Sequence, residues 1–183
     1  MICAPMHPII IYALMTWLVP LTAHKHHSES LDDASDRYAT IAMAIANEAR
    51  DDETLALYLI TIARHESAFT RTVHDGTTRG DGGRSWGLFQ IMIGLEPSKL
   101  LPLSRNPDRY RAFHIVGTGS QATRRAVRSA AHILRPMIAV CGARPRCVFI
   151  RYGGVRAPLR GRARPLVLAR VATFARLRSQ RQK

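Results

Sequence analysis

Acidic side chains all but vanish from the second half of this 183-residue chain. After residue 100 only Asp108 carries a carboxylate, against 19 arginines and lysines, whereas the first hundred residues hold 12 acids and 8 bases. The formal charge of +14 therefore rests on the second half, and lysine is scarce too, since 24 of the 27 basic residues are arginine. Such a half invites a polyanion: nucleic acid, an anionic membrane face or an acidic cell-wall polymer. The plain alternative is an arginine-biased genome that writes Arg at solvent positions. Cysteine is limited to three residues, too few for a disulfide scaffold. No apolar run reaches the roughly 20 residues of a membrane-spanning helix. The longest, 9–21, has 13 residues and is broken by Thr16 and Pro20. No internal repeat is present, and no period-2 alternation exceeds four or five residues, which argues against a β-rich or repeat fold. What the chain does have is 46% apolar residues, too many for a disordered polycation. Its length suits one domain with a real core.

Along the chain, the apolar stretch 8–23 reads either as the core of a signal peptide ending near Ala23 or as an arm packed on the domain. Residues 1–8 lack the Lys or Arg that a secretory leader normally supplies. His24, His26 and His27 follow; they read as a solvated loop before a metal site. Residues 1–35 are thus an apolar segment with a polar linker, 36–178 the domain, and 179–183 a basic tail. Four helices are expected. Asp33 or Ser35 caps the first, which runs to residue 50 with Tyr38, Ile41, Ala42, Ile45 and Ala49 on one face. Asp51 or Asp52 caps the second, over 53–69. The third covers 121–140, with Pro136 expected to bend or end it. The fourth, 165–178, carries Val167, Val171 and Phe174 on one stripe. Residues 70–120 are rich in Gly, Pro, Asn and Asp, so the fold class is mainly α with a long looped middle.

The second helix ends on an unexpected residue. Leu55, Leu59 and Ile62 form an i, i+4, i+7 stripe, and eleven residues at about 100° each bring Glu66 back onto it. A carboxyl at the C-terminal end of a core-facing stripe meets low dielectric and the negative end of the helix dipole. Both disfavour ionisation, and a carboxyl held protonated near neutrality is what a general acid requires. The alternative is a glutamate that turns to solvent or pairs with Arg64 or Arg71. The following loop contains Gly80, Gly82, Gly83, Gly87 and Gly94, which let backbone approach a ligand. Trp86 and Phe89 supply faces for sugar rings, and Gln90 supplies both a donor and an acceptor. The alternative here is that Trp86 and Phe89 plug the core.

These residues carry a resemblance. His65-Glu66-Ser67-Ala68-Phe69, then Ser85-Trp86-Gly87-Leu88-Phe89-Gln90-Ile91, are similar to the Glu-Ser and Gly-Leu-Met-Gln motifs of soluble lytic transglycosylases. Phe149-Ile150-Arg151-Tyr152-Gly153-Gly154 resembles the tyrosine motif of the same family, and the last helix, with Arg170 and Val171, is placed as it is there. The likeness covers 36–178. It implies a goose-type lysozyme-like fold in one domain and a peptidoglycan lytic transglycosylase. By the same likeness Glu66 is the single catalytic acid/base, and Ser67 helps orient it or the substrate. Gln90 lines the glycan cleft, Gly87, Leu88 and Phe89 shape its wall, and the Tyr152 hydroxyl approaches the carboxyl. Phe89 stands where methionine is usual, and Gly153 where asparagine is common.

The implied reaction cleaves the bond between N-acetylmuramic acid and N-acetylglucosamine and leaves a 1,6-anhydro end. A hydrolytic variant needs a second carboxylate, for which Asp75 and Asp81 are the nearby acids. A reading of another class is a non-catalytic cationic binder of nucleic acid, membrane or wall. Nucleic acid is disfavoured because Phe174 lies on the apolar stripe instead of among the bases. The expected partners are glycan strands and anionic wall polymers, the expected state a monomer. Periplasmic export, secretion and virion delivery all stay open. Cys141 and Cys147 flank a short turn and read as either a disulfide that steadies Tyr152 or two buried thiols; Cys3 is left over. No metal, nucleotide or haem motif appears, and no cofactor is expected. His65 points about 100° from Glu66, towards packing or the surface.

Overall fold

The computed structural model describes residues 7–21, 29–93, 113–142, 144–153 and 163–181. Its helices are α1 (Pro8–Leu18), α2 (Leu31–Ala49), α3 (Glu53–Ser67), the single turn α4 (Arg71–His74), α5 (Ser120–Cys141), α6 (Pro145–Tyr152) and α7 (Ala163–Arg181). Two short strands, β1 (Ser85–Trp86) and β2 (Ile91–Met92), pair antiparallel with Ser85 opposite Met92 and Trp86 opposite Ile91. The fold is mainly helical.

Helix α3 is the axis of the core. Asp52 caps it, its carboxylate accepting from the Leu55 N–H at 2.9 Å. From Leu55 to Ala63 every residue is buried, not only the Leu55, Leu59, Ile62 stripe. A helix apolar all round is one packed all round, and α3 touches α1, α2, α5 and α7. Tyr58 stacks on Phe174 of α7 with centroids 4.4 Å apart and meets Phe149 of α6 edge-on at 5.4 Å.

Helix α2 starts earlier than its sequence suggests and crosses the boundary drawn at residue 35. Its cap is Ser30, whose hydroxyl accepts from the Asp33 N–H at 3.0 Å while the Asp33 carboxylate accepts from the Ser30 N–H at 3.2 Å. Asp33 is thus the third-position partner of a capping box, not the cap. The stripe Tyr38, Ile41, Ala42, Ile45 and Ala49 is buried as expected.

The stretch 8–18 forms α1, which buries Ile11, Leu14 and Met15 against the domain while Ile9 and Trp17 stay exposed. Helix α5 does not end at Pro136 but continues to Cys141. Pro136 is exposed and lies in the last turns, where α6 packs alongside. A helix missing from the four expected ones, α6, occupies the tyrosine segment, and the disulfide Cys141–Cys147, with Cα atoms 5.6 Å apart, ties its first turn to the end of α5.

Among the described residues no helix is long and apolar enough to cross a membrane, and no cluster of His, Cys, Asp and Glu suits a metal ion. Cys3, Ala23, His24, His26, His27, Asp108, Gly154, Arg156, Arg160 and Arg162 lie outside the described residues, as do 94–112 of the looped middle.

Candidate active site

The C-terminal end of α3 is held from several directions, and this sets where Glu66 points. Ala68 takes the left-handed conformation (φ 48°) and its N–H bonds back to the Arg64 carbonyl at 3.0 Å. The Ser67 hydroxyl donates to the Ala63 carbonyl at 2.7 Å and accepts from the Phe69 N–H at 3.1 Å. Ser67 is therefore committed to the backbone, buried, and not bonded to Glu66. The buried Arg37 donates to the Phe69 carbonyl at 2.5 Å, and Glu29 holds Arg37 through bonds of 2.7 and 3.1 Å.

Glu66 opens into a cleft of about 590 Å³. Glu66, Asp81, Ser85, Gln90, Tyr152 and Arg170 form its polar side, and Ile91, Met92, Ile133, Leu166 and Val167 its apolar side. The Glu66 side chain is 18% exposed, and Oε1 accepts a short hydrogen bond from Nη2 of Arg170 on α7. Its partner is thus Arg170, neither Arg64 nor Arg71. Burial pushes the Glu66 carboxyl above the usual glutamate range; Arg170 pulls it back down, and the charge of Asp81 adds to the rise.

Two elements, the 85–92 hairpin and α6, add to the walls. In the 85–92 hairpin, Gly87 (φ 69°) packs so closely that a Cβ would meet the Ile115 carbonyl oxygen at 2.8 Å. Gln90 turns back, its side-chain amide donating to the Gly87 carbonyl at 3.0 Å. Leu88 and Phe89 face inward and are fully buried. Tyr152, at the end of α6, donates its hydroxyl to the Phe89 carbonyl at 2.8 Å, which fastens α6 to the hairpin. Burial, and then the nearby Glu66 charge, push the Tyr152 phenol far up, so it stays protonated as a donor.

The structure brings together Glu66, Gln90, Tyr152 and Asp81, but not every residue expected at the site. Trp86 is only 2% exposed, with Arg79 over its ring at 3.9 Å and Phe113 at its edge. Neither Trp86 nor Phe89 offers a face to a sugar; they plug the core, because the hairpin needs apolar anchors beneath it. The apolar faces in the cleft belong to Ile91, Met92, Ile133 and Leu166. Asp75 lies outside the cleft, its carboxylate accepting from the Thr77 N–H at 2.9 Å. Asp81 lies inside, accepting from the Ser85 hydroxyl. His65 bonds Thr173 across the α3–α7 contact at 2.9 Å, and burial holds it down at about 4, so it is a neutral packing residue.

Arg170 is the site residue that the sequence reading missed as a partner of Glu66. It sits three residues after Val167 and four before Phe174, inside the inward stripe of α7. A charge on an apolar stripe is the same signal that singled out Glu66. Comparison with protein-family models, with curated proteins and with solved structures finds no match to this chain.

Proposed function

We propose that this protein is a lytic transglycosylase of the lysozyme-like class that cleaves peptidoglycan with Glu66 as its single acid/base. The observation that carries the reading is one carboxyl at the end of the central helix, in an open cleft, with burial favouring its protonated form. The motif resemblance supports it, and Gln90 and Tyr152 stand on the same cleft wall.

In this mechanism protonated Glu66 gives its proton to the glycosidic oxygen as the C1–O bond breaks and positive charge spreads over the ring. The resulting carboxylate accepts the proton of the muramoyl C6 hydroxyl while that oxygen bonds C1. The product is a 1,6-anhydro sugar; no water is consumed, and Glu66 ends as it began. The apolar side of the cleft packs against sugar faces, and Gln90 hydrogen-bonds their substituents. The arginine-rich second half suits wall carboxylates and anionic wall polymers.

A second reading, hydrolysis, is favoured by one observation: Asp81 shares the cleft and acts on Glu66 by its charge. There Asp81 holds a water, and the product has a reducing end. Turbidity clearing of purified cell walls tests the assignment of the acid. Glu66→Gln is expected to lower clearing by about 10²–10⁴-fold, the usual worth of a general acid/base. Clearing at the wild-type rate by that variant would overturn both readings, and a wild type that binds walls without clearing them would leave the cationic binder.

A further inference from the structure

Arg170 differs from the solvent-facing arginines around it. Arg164, Arg176 and Arg178 on the same helix are exposed, whereas the Arg170 side chain is 11% exposed and lines the cleft. Its Nη2 donates to Glu66, while its Nε is buried without a hydrogen-bond partner among the described residues. A buried guanidinium N–H with no acceptor is costly and calls for an explanation, and here it lies on a residue that lines the cleft.

Among the described residues the groups around it supply none. Asp81, from the turn before β1, accepts from Ser85, and Tyr152, from α6, donates to Phe89. His65, on α3, bonds Thr173, while Arg64 and Arg176 add positive charge nearby. Glu66 is the acid that answers Arg170, through one oxygen. The ion pair also favours the wrong form of Glu66, because the first step needs the carboxylic acid and a guanidinium neighbour favours the carboxylate. Burial and Asp81 work the other way. Proton loading of Glu66 thus depends on how firmly Arg170 holds it.

We propose that Arg170 is a latch on Glu66 that a carboxylate of the substrate opens. The anionic peptide stem of the glycan draws the guanidinium off Glu66 into the cleft, where its carboxylate also answers the Nε, and Glu66 then takes a proton from solvent. Arg170 acts through Glu66 and is a positioning residue. Its chemistry selects carboxylate-bearing glycan over a neutral chitin oligomer of the same backbone. The inference rests on the transglycosylase reading of the cleft.

The test follows the protonation of Glu66 directly. The side-chain carboxyl carbon of Glu66 is titrated by ¹³C NMR in the full chain, for wild type, Arg170→Gln and Arg170→Lys. Each is examined alone, with N-acetylmuramoyl-L-alanyl-D-isoglutamine, and with neutral chitotetraose. In the wild type the muramoyl dipeptide is expected to move the Glu66 midpoint upward with uptake of a proton, and chitotetraose to leave it in place. Arg170→Gln is expected to start from the raised midpoint, to show no response, and to bind the dipeptide about tenfold more weakly, the usual loss for a hydrogen bond between charged groups. Arg170→Lys is expected to recover part of the response. The alkaline limb of kcat/KM for wall clearing shifts to higher pH in Arg170→Gln, which a purely structural role would not produce. Failure of the dipeptide to bind the wild type, or binding with no movement of the midpoint, overturns the latch. Should Arg170→Gln not fold, the wild-type and Arg170→Lys titrations decide alone. Full clearing by Glu66→Gln would instead sink the functional reading, and the NMR midpoints do not depend on that outcome.

Discussion

Glu29 and Arg37 meet with both carboxylate oxygens bonded, at 2.7 and 3.1 Å, and Arg37 uses a further N–H on the Phe69 carbonyl. Glu66 meets Arg170 through one oxygen, at the edge of a cleft, with the arginine Nε buried and unpartnered among the described residues. The side chains of the first pair are 1% and 4% exposed, those of the second 18% and 11%. The same two residue types thus make a sealed clamp in one place and an exchangeable contact in the other. The clamp fastens the segment before α2 to the end of α3, where Glu66 is presented. Every side-chain nitrogen of Arg37 is bonded, whereas the Arg170 Nε has no partner among the described residues.

Deleting one partner from each pair gives the sharpest contrast. Arg37→Ala leaves Glu29 buried without a counter-charge and is expected to cost about 3–5 kcal/mol. Arg170→Ala leaves a Glu66 that can protonate and face the cleft, and is expected to cost less, about 1–2 kcal/mol. Urea unfolding measures both, and equal losses would erase the distinction. Next in size is the Cys141–Cys147 bridge, which holds α6 and hence Tyr152. Its ring is small, so Cys147→Ser is expected to lose about 2 kcal/mol, read as the difference between oxidised wild type and variant.

The pH dependence of stability separates the buried histidines from Glu66 by sign. His74, fully buried with its Nε2 on Thr123 at 3.1 Å, is held by burial at about 3, and His65 at about 4. Both are depressed below their unfolded value near 6.5. Their contribution is present above that value and is lost as pH falls towards 4 and then 3. Glu66 is shifted upward, so its ionisation works against folding as pH rises from its unfolded range. Melting temperatures between pH 3 and 8 are therefore expected to fall on the acid side, with a slope that His74→Gln flattens. In Glu66→Gln, stability gained at neutral pH and absent at acid pH is the matching signature. The smallest effect is expected from Asp81→Asn. Without that charge Glu66 protonates less readily, and wall clearing at neutral pH drops by about two- to fivefold, the scale of a partly exposed charge interaction. A fall of about 100-fold or more would instead mark Asp81 as the second carboxylate of a hydrolase.

Helix periodicity was readable wherever one face alone is buried. The stripe of α2 and the Val167–Phe174 face of α7 follow it, and Glu66 stood out because it breaks an apolar row. Helix α3 was found by the same logic, but the stripe Leu55, Leu59, Ile62 understated a burial that runs all round from Leu55 to Ala63. Short-range signals misled where tertiary contacts decide. Asp33 is a good cap by type, but Ser30 lies where the box closes, and Pro136 did not stop a helix that α6 packs against. Trp86 is a good sugar platform by type too, yet the hairpin uses it as an anchor. No local rule could pair Glu66 with Arg170, which lies 104 residues away; only the two charges, each on an inward stripe, hinted that they meet.

Mass analysis of the muropeptides released from purified peptidoglycan by wild type and by Glu66→Gln tests the central claim most directly. The wild type is expected to release 1,6-anhydro ends and the variant no such products. Reducing ends from the wild type would contradict the transglycosylase, and undiminished release by Glu66→Gln would contradict the role of Glu66 itself.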